Sequence, residues 1–173
     1  MLKILIAVDG SELSLDAVRH ALHLREQGLR AGFVLANVQE PASLYEMLTV
    51  RDPQRLQGLT ASAGEHSLQG ARDLCHAAGV DYEFEVGSGE PAHTLLDIAE
   101  RYGCGAIIAG ARGKGGLGGG DLGSVAHELM HVSRLPLTIV KHPEAEDRLR
   151  EQQAEQEAAP NPDPEQQPVI GLA

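Results

Sequence analysis

Two features of this 173-residue sequence have residue types and spacing that could do chemistry: a glycine-rich segment and a histidine pair. Eight of the fourteen residues from 110 to 123 are glycine. Glycine lets the backbone approach a ligand closely, and free amides with a hydroxyl at a helix start attract an anion. The residues that could hold a phosphate are Gly110, Arg112, Gly113, Lys114, Gly123 and Ser124. The segment therefore predicts a site for a phosphate-bearing ligand.

Two familiar phosphate-binding motifs do not fit the glycine-rich segment. A Walker A loop needs a glycine five residues before Gly113 and a Ser or Thr after Lys114, and neither is present. Gly87-Ser88-Gly89 has no third glycine in register, so the dinucleotide fingerprint also fails. The alternative to a ligand site is a flexible surface loop, which the position between an apolar run and a helix start disfavours.

The histidine pair lies in His127-Glu128-Leu129-Met130-His131, which matches the zinc metalloprotease signature. Two imidazoles one helical turn apart could share a zinc ion. At ~100° per residue, however, Val125, Leu129 and Val132 form the apolar stripe, and the two histidines lie on the opposite side. We therefore expect solvent-facing or interface histidines, and a zinc metalloprotease is a remote alternative.

Composition excludes several classes of function. The formal net charge of −11 argues against a general nucleic-acid binder, and 3% aromatic residues without tryptophan leave no stacking platform. No apolar run approaches the ~18 residues of a membrane span. The run Lys3–Val8 is too short for a secretory signal, and Cys75 and Cys104 form no Cys-x-x-Cys pair. We expect a cytoplasmic protein with two reduced core thiols and no membrane contact.

Hydrophobic periodicity predicts alternating strands and helices. The predicted strands are Lys3–Val8, Phe33–Val38, Val80–Val86, Cys104–Ala109 and Leu137–Val140; the helices follow Ser11, cover Pro53–Ala78, begin at Pro91 and cover Ser124–Ser133. This order indicates an α/β fold with a doubly wound, five-stranded parallel sheet, because each crossover must be right-handed. Ligands in such sheets bind beyond the carboxyl ends of the strands, where the strand order reverses. Val80–Val86 alternates apolar and acidic residues, which predicts an edge strand.

The acidic residues concentrate at the end of the chain. Residues 143–173 contain eight acidic residues, two arginines and five of the nine prolines. Few of these residues can bury enough apolar surface to offset the entropy of ordering. We therefore predict a folded domain over residues 1–142, which carries the candidate ligand site, followed by a disordered acidic C-terminal tail over residues 143–173.

These motifs resemble the universal stress protein family, in its ATP-binding branch. That branch carries Gly-x-x-Gly, nine residues and then Gly-Ser, which the chain matches without a gap from Gly110 to Ser124. The other matching segments are Val8-Asp9-Gly10-Ser11, Asn37-Val38, Gly89-Glu90-Pro91 and Pro136–Val140, in the family's order. The resemblance covers Met1 to about His142 and excludes the tail.

The resemblance implies strand order 3-2-1-4-5 and an adenine nucleotide at the switch point. By position it places Asp9 at the ribose or adenine, Ala7 and Val8 beside the base, and the Val38 backbone at adenine. It places the ribose and phosphates on Gly110, Gly113, Gly123, Ser124 and the Val125 amide, with Arg112 and Lys114 adding charge. The ligand would be ATP, ADP or AMP, with Mg²⁺ beside a triphosphate, although Asp121 departs from the family pattern and disfavours a triphosphate.

The same resemblance implies a stress-response or regulatory protein with slow hydrolysis at most and an unidentified regulatory protein partner. It also implies a homodimer joined along Leu137–Val140, and an apolar edge strand of this kind usually needs a partner. The alternative function is an interaction module of the same fold whose pocket is vestigial.

Overall fold

Five strands and four helices alternate along the part of the chain that the structure, a computed structural model, describes. That part is residues 1–39, 53–113 and 122–141, with side chains described from residue 62 onward in the second range. The elements are β1 Leu2–Ala7, α1 Glu12–Glu26, β2 Ala31–Gln39, α2 Pro53–Ala77, β3 Tyr82–Ser88, α3 Pro91–Arg101, β4 Ala106–Gly110, α4 Ser124–Val132 and β5 Leu137–Val140. Lys114, Asp121 and the tail predicted over residues 143–173 lie outside the described residues.

The five strands form one parallel sheet in the order β3-β2-β1-β4-β5, as predicted. The order reverses at β1, which pairs with β2 on one side and β4 on the other. Ala7 is the last paired residue of β1 and lies between Ala36 and Ala109. The carboxyl ends of β1 and β4 therefore meet at the switch point.

Helices cover both faces of the sheet and bury its central strands. On one face, α1 and α2 pack Val18, Leu68 and Cys75 against Ile6 and Leu35. On the other face, the buried residues include Leu95, Ile98 and Leu129 of α3 and α4 with Leu5, Val34 and Ile107 of the sheet. Burial on both faces explains why β1, β2 and β4 are nearly continuous apolar runs. Both cysteines are buried, and burial raises the pKa of the Cys75 thiol to about 11.

Two strands begin later than predicted, and the cause is the same for both. After α2, the Gly79 amide (φ 61°) donates to His76 O, and the Val80 amide donates to Cys75 O. This pair of bonds is a Schellman motif, which satisfies the last carbonyls of a helix and uses two residues after it. The strand predicted to start at Val80 therefore starts at Tyr82.

The end of α3 repeats this arrangement at Gly103 and Cys104. The Gly103 amide (φ 66°) donates to Glu100 O, and the Cys104 amide donates to Ala99 O. The strand predicted from Cys104 therefore starts at Ala106.

The prediction of an edge position for β3 is confirmed. On its acidic face, Glu83 pairs with Lys3 and Glu85 pairs with Arg101. Within the described residues, no helix is long and apolar enough to cross a membrane.

Candidate functional site

A cavity of about 290 Å³ lies at the carboxyl edge of the sheet, at the switch point. Its walls come from the ends of β1, β2 and β4, the starts of α1, α3 and α4, and the described residues 111–113 and 123. Ten of the eleven residues predicted for the site line this cavity: Ala7, Val8, Asp9, Val38, Gly110, Arg112, Gly113, Gly123, Ser124 and Val125. The eleventh, Lys114, lies outside the described residues. The structure thus brings together residues from three distant parts of the sequence.

Asp9 carries the carboxylate of the cavity and is held by the turn between β1 and α1. Its Oδ1 atom accepts hydrogen bonds from the Ser11 amide at 2.9 Å and the Ser11 hydroxyl at 2.6 Å. Ser11 is also the N-cap of α1, because its hydroxyl oxygen accepts from the Ser14 amide at 3.1 Å. The sequence Asp9-Gly10-Ser11 therefore starts the helix and fixes one oxygen of the carboxylate at the same time.

None of the three motif glycines has a positive φ, so backbone conformation requires none of them, but the space around Gly110 and Gly113 does. A Cβ atom at Gly110 would lie 2.9 Å from Leu13 O, and a Cβ atom at Gly113 would overlap Asp9 Oδ2. A Cβ atom at Gly123 would make ordinary contact, 3.4 Å from the Arg112 Cα. The backbone at Gly110 and Gly113 is therefore packed directly on the β1–α1 turn and the start of α1.

The first turn of α4 opens on the cavity without a side-chain cap. Its N-cap is Gly123, and Ser124 and Val125 line the cavity. A helix start carries a partial positive charge and unpaired amides, so it is a favourable place for an anion. The structure therefore places a helix start without a side-chain cap at the position that the glycine spacing predicts.

The start of α3 also borders the cavity, through Pro91, but this helix carries its own anion. The Glu90 carboxylate accepts from the Ala92 amide at 3.2 Å and from the His93 amide at 2.8 Å. The bond from the His93 amide is the main reason why the pKa of Glu90 is lowered. Of these two helix starts, α4 is therefore the one left for a ligand anion.

Sequence reasoning missed several residues that line the same cavity. They are Ser14, Ala36, Asn37, Pro91, Leu95, Ala109, Ala111 and Ala126. Asn37 had a usable signal, because it is a polar residue inside the apolar run of β2 and is 2% exposed. The small residues had none, because alanine is common in every buried element of this chain.

The histidine pair lies on the outer side of α4, as predicted. His127 and His131 are exposed, and their ring centroids are 4.7 Å apart. Within residues 1–39, 53–113 and 122–141, no group of three or more His, Cys, Asp or Glu side chains could hold a metal ion. The described part of the chain thus supplies no third ligand for the zinc of a metalloprotease.

The fold and the cavity define a doubly wound α/β protein with a candidate ligand site at its switch point. The chain belongs to the universal stress protein family, whose sequence model matches residues 1–141. It is 32% identical over 145 residues to the universal stress protein YxiE of Bacillus subtilis, which covers 80% of this chain and 98% of the relative. It is 28% identical over 144 residues to the universal stress protein MJ0531 of Methanocaldococcus jannaschii, and this alignment covers 83% of this chain and 84% of the relative.

Solved structures show the same fold. The hypothetical protein MJ0577 aligns with a TM-score of 0.69 and 24% identity, over 82% of this chain and 96% of its own. A universal stress protein in complex with cAMP aligns with a TM-score of 0.59 and 24% identity, over 80% of this chain and 96% of its own. A universal stress protein family protein from Arabidopsis thaliana with AMP bound aligns with a TM-score of 0.59 and 19% identity, over 84% of this chain and 95% of its own.

Proposed function

We propose that this chain binds an adenine nucleotide in the switch-point cavity and acts as a stress-response or regulatory protein through that ligand. One observation carries the proposal: the uncapped start of α4 and the Asp9 carboxylate face one cavity from different elements. A ligand that contacts both would present an anion at one end and hydrogen-bond donors at another. A nucleotide has this chemistry.

The phosphate end of the proposed site is the first turn of α4. The amides that follow Gly123, together with the Ser124 hydroxyl, would donate hydrogen bonds to phosphate oxygens. Arg112 lines the same cavity and adds positive charge. We assign Lys114 to this end on its sequence position alone.

Asp9 would contact the sugar or the base and not the phosphates. An ionised carboxylate only accepts hydrogen bonds, so it needs donors such as the ribose hydroxyls or the adenine amino group. A phosphate beside it would be repelled. Asp9 therefore sets the orientation of the nucleotide, with the ribose between Asp9 and the start of α4.

The base would lie against an apolar wall. Ala7, Ala36, Val38 and Leu95 line the cavity and belong to the packed side chains on the α3 and α4 face of the sheet. Such a wall suits the flat surface of adenine, whose edge could then be recognised by the backbone of Val38. Recognition by backbone is the role that the family resemblance implies for this residue.

The cavity favours a small nucleotide. Its volume of about 290 Å³ lies near the lower limit of ligand pockets, which hold about 300–1,000 Å³. Solved relatives of this fold carry AMP and cAMP, which supports a mononucleotide here. We propose that AMP and ADP bind more tightly than ATP with Mg²⁺, and we assign no catalytic residue, so any hydrolysis would be slow.

Calorimetric titration tests the proposal. AMP or ADP should bind with a Kd of about micromolar order, and guanosine monophosphate should bind more weakly. Asp9→Asn should weaken AMP binding about tenfold or more, since it removes the charged acceptor. Asp81→Asn is the matched control: Asp81 is exposed and precedes β3 at the opposite edge of the sheet, so affinity should not change. If no adenine nucleotide gives heat or a thermal shift, the vestigial-pocket alternative is favoured instead.

We also propose that two copies of the chain associate along β5. This strand forms one edge of the sheet, and Leu137, Ile139 and Val140 are half-buried. Pairing with a second copy would satisfy the edge and cover these side chains. Sedimentation at tens of micromolar should show a dimer, and Thr138→Lys, at an exposed position of the strand, should shift it toward monomer. A monomeric wild-type protein would contradict this proposal.

A further inference from the structure

The peptide group between Val8 and Asp9 is held at both of its polar ends by side chains from two other elements. The Asn37 side-chain amide, from β2, donates to Val8 O at 2.7 Å. The Asp9 amide donates to the Ser14 hydroxyl oxygen, from α1, at 3.3 Å. This peptide immediately precedes the carboxylate of the cavity.

The position of this peptide explains why it needs such partners. The paired register of β1 and β2 ends at Ala7 and Ala36, and one further ladder bond joins the Val8 amide to Ala36 O at 2.8 Å. The chain then leaves the sheet for the turn into α1. Asn37 and Ser14 thus continue the hydrogen bonding of the sheet by one peptide.

Both side chains are deeply buried, which makes them costly unless they are bonded. Asn37 is 2% exposed and Ser14 is 4% exposed. In the described part of the chain, the only other buried polar side chain is Ser67, which bonds to Ala63 O within its own helix. Burying an amide or hydroxyl is unfavourable without a hydrogen bond. Two of the three buried polar side chains described therefore act on one peptide.

The orientation of Asn37 is itself fixed by a side chain two residues further along β2. Its Oδ1 atom accepts from the Gln39 side-chain amide at 2.5 Å, so its NH₂ group is directed at Val8 O. The backbone carbonyl of Gln39 in turn accepts from the Gly89 amide at 3.1 Å, just before α3. A continuous path of residues thus links the segment before α3 to the peptide that carries Asp9.

We propose that Asn37 and Ser14 are positioning residues, which clamp the Val8–Asp9 peptide and thereby set the direction of the Asp9 carboxylate toward the ligand. Holding both polar ends of a peptide prevents rotation of its plane, so the Cα–Cβ bond of Asp9 keeps one direction. The part of this inference that concerns affinity rests on the proposed nucleotide binding. The part that concerns the clamp does not.

The clamp is tested first in the ligand-free protein, by hydrogen exchange of the Asp9 amide measured by NMR. Ser14→Ala removes the acceptor of that amide, and Asn37→Leu removes the donor to Val8 O at similar side-chain size. Each should speed exchange at Asp9 about fivefold to tenfold, corresponding to one lost hydrogen bond. Ser67→Ala is the matched control, because it also removes a buried serine hydroxyl, and exchange at Asp9 should not change. Unchanged exchange in Ser14→Ala would overturn the clamp, even if Asn37→Leu fails to fold.

The affinity part is tested by a double-mutant cycle on AMP binding. Ser14→Ala and Asn37→Leu should each weaken binding about threefold to tenfold in the wild-type background. In an Asp9→Ala background they should weaken it less than twofold, because no carboxylate remains to be positioned. If Ser14→Ala or Asn37→Leu weakens AMP binding by the same factor with and without the Asp9 carboxylate, the residue acts by direct ligand contact or by general loosening of the site. That result would overturn the positioning role. If the wild type binds no adenine nucleotide, the proposed function fails, and hydrogen exchange still decides the clamp.

Discussion

The three motif glycines should respond differently to alanine, and the differences follow from what each added methyl group would meet. At Gly110 the methyl group would lie 2.9 Å from Leu13 O and 3.2 Å from Arg112 O. Both atoms belong to the backbone, and Leu13 O cannot move without shifting α1. We expect Gly110→Ala to lower the free energy of unfolding by about 1–3 kcal/mol, the usual cost of overpacking.

At Gly113 the obstacle is a side chain. The methyl group would overlap Asp9 Oδ2, so the carboxylate must rotate away and leave the two hydrogen bonds from Ser11. At about 0.5–1.5 kcal/mol each, these bonds give an expected loss of about 1–3 kcal/mol. Because the carboxylate also leaves its place in the cavity, Gly113→Ala should weaken nucleotide binding as well.

Gly123→Ala provides the contrast. Its methyl group would lie at ordinary van der Waals distances, 3.4 Å from the Arg112 Cα and 3.5 Å from Ala111 O. The backbone there has φ −72° and ψ 162°, which any residue adopts. The expected cost is about 0.5 kcal/mol, from the poorer N-cap preference of alanine.

Urea denaturation of the single variants and of two double variants separates these causes. In an Asp9→Ala background the cost of Gly113→Ala should fall to nearly zero, whereas the cost of Gly110→Ala should persist. If Gly113→Ala costs the same with and without the Asp9 carboxylate, our explanation of this glycine is wrong. If Gly123→Ala is the most damaging of the three, the packing argument as a whole is refuted.

Two further predictions concern the scaffold around the cavity. Gly64→Ala in α2 should destabilise the protein by about 1–2 kcal/mol, because its methyl group would overlap the Val86 side chain. This loss is expected although alanine favours helix. Urea denaturation should show most of the lost stability restored in the double variant with Val86→Ala. His93→Gln should lower the free energy of unfolding at about pH 5.5 and have little effect at about pH 8.5. The hydrogen bond to Glu90 raises the pKa of His93 above 6.5, so its contribution is present below that pH and lost as the pH rises through the raised value. An equal effect at both pH values would contradict this assignment.

The topology of the sheet was predictable because it follows from local patterns. Apolar runs of strand length, caps such as Ser11 and the order of the elements suffice to define a doubly wound sheet, and all five strands are present. Two of the boundary errors lie at helix ends, where Val80 and Cys104 continue the apolar pattern of the next strand. Their amides bond back to the preceding helix, and composition carries no signal for this choice.

The candidate site was predictable only where chemistry follows spacing. The glycines and Asp9 could be placed because their motif brings them to the ends of β1 and β4. The clamp could not, because Asn37 reaches Val8 O across 29 positions of sequence, and only the register of β1 on β2 makes them neighbours. The same holds for the Glu90 cap, whose carboxylate decides which helix start is left for an anion.

Mapping AMP on the isotope-labelled protein by NMR tests the central claim most directly. Titration should shift the amide signals of Val38, Gly113, Ser124 and Val125, which line the cavity, and leave those of Asp81 and the other residues at the opposite edge of the sheet unchanged. The shifts should saturate with the same Kd as the calorimetric titration and should be much smaller in Asp9→Asn at equal AMP concentration. Saturating shifts that cluster away from the ends of β1 and β4, or no shifts at millimolar AMP, would contradict the proposal that this cavity binds an adenine nucleotide.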